Sequence, residues 1–184
     1  MRYSKIDNSL FINNRKRFLK KMIPNSVGFF NSNDLYPVSA DTTLPFEQHR
    51  DIFYLSGINQ EESILLLLKH KNNFDFEEIL FLKKPNETLT HWEGEKLNEH
   101  KAFEISGIKK VYWIDDLEKV IDKLICSIDN IYINTNEHYR AKVITETREA
   151  RFNKWIQKKY PKKNIEKSNP ILQKIRGIKN PIEI

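Results

Sequence analysis

The chain has a single cysteine, Cys126, among 184 residues. One thiol excludes an intrachain disulfide framework and a thiolate metal cluster. The local pattern "DKLICSI" predicts a buried helical position for it. No run approaches the roughly 18 apolar residues of a membrane helix, and the opening "MRYSKIDNSLF" lacks a signal-peptide core, so a cytoplasmic protein without a membrane partner is expected. Glycine is scarce too: the 5 present form neither GxGxxG nor GxxxxGK[ST], which leaves nucleotide chemistry without a phosphate-binding loop. No GxSxG elbow gives context to a Ser-His-Asp triad. There is no HExxH, and no two of the 5 histidines stand at i, i+4. His91, Glu95 and Glu99 are spaced by four, but a chelate there requires helix through Gly94, a poor helix former, so no metal site is expected.

What is present is an ordinary globular mixture: 39% hydrophobic and 30% charged residues, with 11 Phe, 7 Tyr and 3 Trp. The length suits one domain with one sizeable core. The formal charge is +6, yet the lysines of "NNRKRFLKK", "LKKP", "QKKYPKK" and "KIRGIK" are scattered among acids. That pattern describes a solvated surface and gives no support to a nucleic-acid partner.

Along the chain, "NSLFINNRKRFLKKM" predicts a helix over 8–22 with Leu10, Phe11, Phe18, Leu19 and Met22 on one face and Ser9 or Asn8 as cap. "SVGFFNS" reads as a strand and "NDLYPVSADTTLP" as a loop. "SILLLLK" predicts a central strand covered on both faces, "EILFLKK" a second and "GIKKVYWI" a third, with short helical pieces over 91–105. "DDLEKVIDKLICSI" is the clearest helix, with Asp115 and Asp116 as capping candidates. "NIYINT" alternates as a strand, a long helix is expected from about Ala141 to Tyr160, and Ile171, Leu172 and Ile175 mark a last short helix. The order implies an α/β fold: a mixed sheet of about six strands flanked by helices.

One stretch resists this periodicity. "LPFEQHRDIFYLSG", 44–57, crowds ring side chains around Gln48, His49, Arg50 and Asp51, and its apolar residues keep neither a 3.6 nor a 2 period throughout. Two further residues carry two readings each. Trp92, amid the polar "THWEGEKL", either docks on its own core or projects to cover a partner or ligand. Asp41 is either an Asx-turn or cap group, or a loop carboxylate aimed at a charged ligand.

Taken together, "FINNRKRFLKKMIPNSVGFFNSND", "ADTTLPFEQHRDIFYLSGINQEESILLL", "EILFLKK", "HWEGEKL" and "ILQKIRGIKNPIEI" resemble the N-terminal domain of Xaa-Pro aminopeptidase (aminopeptidase P), of the creatinase and prolidase superfamily with its pita-bread catalytic fold. The resemblance implies that 44–57 threads a loop into the sheet beside the cleft shared with a catalytic domain. Phe46 and Tyr54 would be cleft-wall or core residues, Gln48 and Asp51 would hold the turn, and Gly57 would permit a backbone that a side chain resists. His49 and Arg50 stand where the family pattern more often has small polar residues. Trp92 aligns with a tryptophan that walls the substrate site of a neighbouring subunit, where it would stack on a proline ring. Asp41 aligns with an acidic loop residue near that cleft.

For the whole enzyme, the resemblance implies hydrolysis of Xaa-Pro peptides by two divalent ions, manganese, held in the C-terminal domain in cis, and a homodimer or homotetramer. Residues 1–176 would be the noncatalytic domain and 177–184 the start of the connector, with no catalytic or metal-binding residue of their own. Prolidase is the neighbouring alternative within the superfamily, and a stand-alone adaptor of the same fold is the alternative outside enzymology.

Overall fold

A computed structural model describes residues 6–72, 75–85, 94–135 and 144–184. In chain order the elements are α1 (Asn8–Lys21), β1 (Ser26–Asn31), β2 (Pro37–Ser39), β3 (Thr42–Thr43), α2 (Arg50–Ser56), β4 (Ile64–Lys69), β5 (Phe76–Leu82), α3 (Glu99–Ser106), β6 (Lys110–Trp113), α4 (Leu117–Ile125), β7 (Asn130–Ile133), α5 (Arg148–Lys159), β8 (Asn164–Lys167) and α6 (Asn169–Arg176). Short 3-10 turns precede α4 and follow α6.

Six strands make one mixed sheet in the order β6-β5-β4-β1-β7-β8. β1, β7 and β8 run parallel, as do β5 and β6, while β4 is antiparallel to both β1 and β5. The inner strands are apolar on both sides because helices cover both sides. Phe30, Leu65, Leu67, Leu80, Leu82 and Tyr132 face one core layer with α1, α2, α3 and α6. Val27, Phe29, Leu66, Leu68, Ile79, Phe81, Ile131 and Ile133 face the other, with α4 and α5.

Local chemistry explains the helix ends. Asp7, one residue before the expected caps, accepts from the Ser9 amide at 2.8 Å and starts α1. The helices α2 and α3 end alike, in "LSGI" and "ISGI". In each the serine hydroxyl donates to the carbonyl four residues back and accepts from the isoleucine amide that follows. The intervening Gly57 and Gly107 are left-handed, at φ 71° and 73°. Both glycines lie against α1, where an ideal Cβ on Gly57 would stand 2.3 Å from Phe11 Cε2 and one on Gly107 2.7 Å from Ile12 Cδ1.

Several expectations are corrected. The stretch 44–57 is not a loop throughout: its second half is α2, seven residues long. The supposed loop after β1 contains the exposed β2–β3 hairpin, too short to show a period. Cys126 is exposed, since it follows Ile125 by one residue and so turns away from the face that Ile121 and Ile125 bury. Asp116 precedes α4 without a side-chain cap bond, because a 3-10 turn over Ile114–Asp116 leads into the helix. Ile128, expected in that helix, is buried beyond its end. β7 does not alternate, being an inner strand covered on both faces. The helix expected from Ala141 begins at Arg148, capped by Thr147, and residues 141–143 lie outside the described part. Within 91–105 the helix is Glu99–Ser106, and 91–93 also lie outside the described part. The edge strand β8, with Ile165 as its one apolar side chain, was not expected.

Candidate functional site

The sheet order creates a crevice. From β1 the chain passes to α2 on one face and then to β4; from β7 it passes to α5 on the other face and then to β8. The two exits diverge at the carboxyl ends of neighbouring parallel strands, where α/β proteins hold ligands. Here the space is about 740 Å³, lined by residues including Asn33, His49, Asn134, Thr135, Thr147, Glu149 and Asn153.

Its base is a buried polar network. His49 caps α2: Nδ1 accepts from the Asp51 amide at 3.2 Å. An imidazole accepting at Nδ1 carries its proton on Nε2, and Nε2 lies 3.4 Å from Glu149 Oε2. Asp51 receives Arg176 Nη1 on Oδ1 at 2.5 Å and Asn134 Nδ2 on Oδ2 at 2.6 Å. Asn153 Nδ2 donates to the Asn134 carbonyl at 2.7 Å, tying α5 to the end of β7. Burial holds His49 below the usual imidazole range, the Asp51 charge opposing and Arg176 assisting. Burial, reinforced by the Asp51 charge and opposed by the Asn134 amide, raises Glu149 to about 8. At neutral pH the network therefore contains a neutral imidazole and a protonated carboxyl.

A second concavity, about 820 Å³, lies across α2 from the first and runs between α1 and the final residues. Leu10, Phe11, Phe46, Phe53, Tyr54 and Ile182 give it apolar walls, and Gln48, Arg50, Arg176 and Glu183 line it with polar groups. Gln48 Nε2 donates to the carbonyls of Ile58 at 3.1 Å and Gln60 at 3.0 Å, while Oε1 accepts the His49 amide. That amide side chain braces the chain on both sides of α2. Arg176 lies 4.7 Å from the Tyr54 ring centre and donates to the Arg50 carbonyl at 2.7 Å. Arg17 Nη2 donates to the carbonyls of Ile175 and Ile178, pinning the last turn of α6.

The structure brings together Phe46, Gln48 and Tyr54 in this groove and sets Gly57 beneath Phe11 of its wall. Asp51 belongs instead to the network of the crevice. Asp41 is exposed on the turn between β2 and β3, and neither concavity counts it among its lining. Trp92 and His91 lie outside the described residues. Glu95 precedes the cap of α3 and Gly94 is left-handed, so Glu95 and Glu99 share no helix face. Sequence reasoning missed Asn134, Glu149, Asn153 and Arg176. Only Arg176 had a signal, its place in "KIRGIK", and charge scatter concealed it.

The network does not suit a metal ion. His49 Nδ1 is occupied by a backbone amide and Asp51 by Arg176 and Asn134. Among the described residues no group of three or more His, Cys, Asp or Glu is placed to hold one.

Comparison with known proteins gives this architecture a family. The family described as "Aminopeptidase P, N-terminal domain" matches residues 11–132. The Xaa-Pro aminopeptidase of Escherichia coli (strain K12) is 25% identical over 183 residues, 98% of this chain and 41% of that protein. Intermediate cleaving peptidase 55 of Saccharomyces cerevisiae is 30% identical over 121 residues, 65% of this chain and 24% of that protein. A Bacillus anthracis structure described as an aminopeptidase P superposes with a TM-score of 0.86 at 26% identity, covering 95% of this chain and 41% of that one. The low-pH form of E. coli aminopeptidase P shares the fold at a TM-score of 0.77 and 23% identity. The chain thus spans about two fifths of the length of the E. coli and B. anthracis proteins, 41% in each case. It belongs to the aminopeptidase P N-terminal domain family.

Proposed function

We propose that the chain is the noncatalytic N-terminal module of a metal-dependent Xaa-Pro aminopeptidase of the cytoplasm, which releases the first residue of peptides with proline in second place. The observation that carries this reading is the superposition of 95% of the chain on 41% of the B. anthracis aminopeptidase P structure. The remaining length of such relatives is where a catalytic domain acting in cis belongs. That domain would hold the divalent pair, manganese, whose part is to supply an activated water. The described residues of this chain do not form such a site, and their part is to shape access and assembly. Residues 1–176 would be the module and 177–184 its connector.

In this reading Asp41, at the exposed hairpin tip, and Trp92 reach a substrate cleft built with the catalytic domain or a second subunit of a dimer or tetramer. The test uses the product of the uninterrupted reading frame with Mn²⁺ and an Xaa-Pro-Xaa tripeptide, beside the 184-residue chain alone. Release of the first residue by the longer protein only is expected, with Asp41→Ala and Trp92→Ala raising KM more than they lower kcat. Cleavage of Xaa-Pro dipeptides alone would turn the reading to prolidase. A frame that yields no cleavage at all would leave a stand-alone adaptor.

A further inference from the structure

We propose that the crevice between the carboxyl ends of β1 and β7 is a binding site for a primary ammonium group, which docks against the Glu149 carboxylate and the Asn134 side-chain oxygen. The proposal does not depend on the aminopeptidase reading, since it uses only groups of this chain.

Among the described residues, the base of the crevice holds two acceptor atoms that receive no hydrogen bond. Glu149 Oε1 and Asn134 Oδ1 are both buried and both without a hydrogen-bond partner. Both residues belong to the lining, Glu149 being 9% exposed at its side chain and Asn134 1% as a residue. Each neighbouring donor already serves at least one other acceptor atom. Asn134 Nδ2 is given to Asp51, Asn153 Nδ2 to the Asn134 carbonyl, and His49 Nε2 faces the other Glu149 oxygen. An unpartnered buried acceptor costs on the order of 1–3 kcal/mol, so a pair of them marks a place made for a donor.

Charge selects the donor. Asp51, behind this space in the network, is matched by Arg176; of the groups lining it, Glu146 is matched by Lys154, and His49 is neutral. Glu149 is the one carboxylate there without a cation partner among the described residues. Without a ligand, burial keeps it protonated, at a pKa of about 8. An ammonium brings both the missing hydrogens and the missing charge, and the N-terminus of α5 beside it favours the ionised carboxylate. An anion would face the Asn134 oxygen and a carboxyl with no cation beside it, and among the described residues a metal ion would lack a third His, Cys, Asp or Glu ligand. The exchange is balanced: the ammonium enters with its three N–H bonds intact, Glu149 loses its proton, and the proton leaves to the buffer. The polar rim of Asn33, Thr135 and Thr147 suits a hydrophilic carrier of the ammonium.

The test is a titration of the 184-residue chain with methylammonium chloride, followed by the side-chain amide resonances of Asn134 and Asn153 and by calorimetry in buffers of different ionisation heat. Saturable shifts are expected, with about 0.9 proton released per ligand at pH 7 and an affinity about tenfold weaker at pH 7 than at pH 9. Glu149→Gln should lose both the binding and the proton release while unfolding at the same or a higher temperature at pH 8, which separates a lost site from a lost fold. Glycine and Nα-acetyl-lysine methylamide then distinguish a free α-ammonium from a lysine side chain, and a response to either supports the site. An equal response to tetramethylammonium or glycerol, no saturable shift with any of these amines, or unchanged binding by Glu149→Gln overturns it.

Discussion

Replacing Gly57 by alanine perturbs the contact between α1 and α2 in two separable ways. The residue sits at φ 71°, and an L side chain there costs about 1–2 kcal/mol in backbone strain. Its new Cβ would also stand 2.3, 2.6 and 2.8 Å from three carbons of the Phe11 ring. Ordinary carbon contacts begin near about 3.5 Å, so the ring must retreat by roughly 1 Å. Phe11 is only 3% exposed and meets Phe53 edge-on at 6.0 Å, which leaves it little room. Overpacking of this kind costs about 1–3 kcal/mol, giving a total of about 2–5 kcal/mol. Urea unfolding of the 184-residue chain, followed by far-UV circular dichroism, measures it. In a Phe11→Leu background the Cβ finds space, so Gly57→Ala should then cost only the backbone part, about 1–2 kcal/mol. Gly57→Asn relieves the dihedral but not the overlap, and should remain harmful in the Phe11 background alone. A cost below about 1 kcal/mol, or the same cost in both backgrounds, would refute the reasoning.

Gly107→Ala should be milder, about 1–2 kcal/mol by the same unfolding assay, because the atoms it meets are the far end of the half-buried Ile12 side chain. Arg176→Gln removes the pair with Asp51, the bond to the Arg50 carbonyl and the stack on Tyr54; a loss of about 1–3 kcal/mol and faster amide exchange over 169–178 are expected. The raised pKa of Glu149 fixes a sign: its protonated form fits the fold, so this contribution is complete below the ordinary carboxylate value of 4.5 and declines as pH rises through about 8. The stability advantage of Glu149→Gln over the natural chain should therefore widen between pH 5 and 8 in denaturant titrations, and a constant difference would count against a buried acid. His49, held low by burial, acts in the opposite sense: its contribution is present above 6.5 and is lost as pH falls.

Five of the six strands of the sheet were legible because their signals are local and strong; the edge strand β8, with Ile165 as its one apolar side chain, carries no such signal. Continuous apolar runs such as "SILLLLK" mark strands covered on both faces, and β4 is fully buried. The face of Leu10, Phe11, Phe18 and Leu19 likewise announced α1. What escaped was short or conditional. The helix α2 has seven residues, two of its rings serve the groove wall, and no period survives in so short a segment. Its strongest sign was its end: "LSGI" recurs as "ISGI", and the shared serine-glycine stop could have revealed both helices. The crevice left less trace, because it depends on meetings between residues distant in sequence. Asp51 and Asn134 are 83 positions apart, and a buried glutamate at the start of a helix reads like any first-turn acid.

The two concavities are not independent, since α2 separates them and is fixed at both ends by polar bonds. At its C-terminal end, Asn14 donates to the Tyr54 carbonyl and the fully buried Arg15 to that of Leu55, so α1 holds the helix where the two glycine caps also bear on it. At its N-terminal end, Asp51 is shared between Asn134 of the β7 terminus and Arg176 of α6. Arg176 is thus common to the network and to the groove, where its guanidinium covers Tyr54. Sliding α2 to widen the groove would break either the carbonyl bonds of α1 or the Asp51 links, each a charge-assisted or buried bond worth about 1–3 kcal/mol. The groove is therefore a preformed wall, and the least costly movement available is that of the residues after Arg176, which are held by Arg17 at Ile178 and otherwise lie on the surface. Substitutions at Arg17 should mobilise those residues while leaving α2 and the crevice in place.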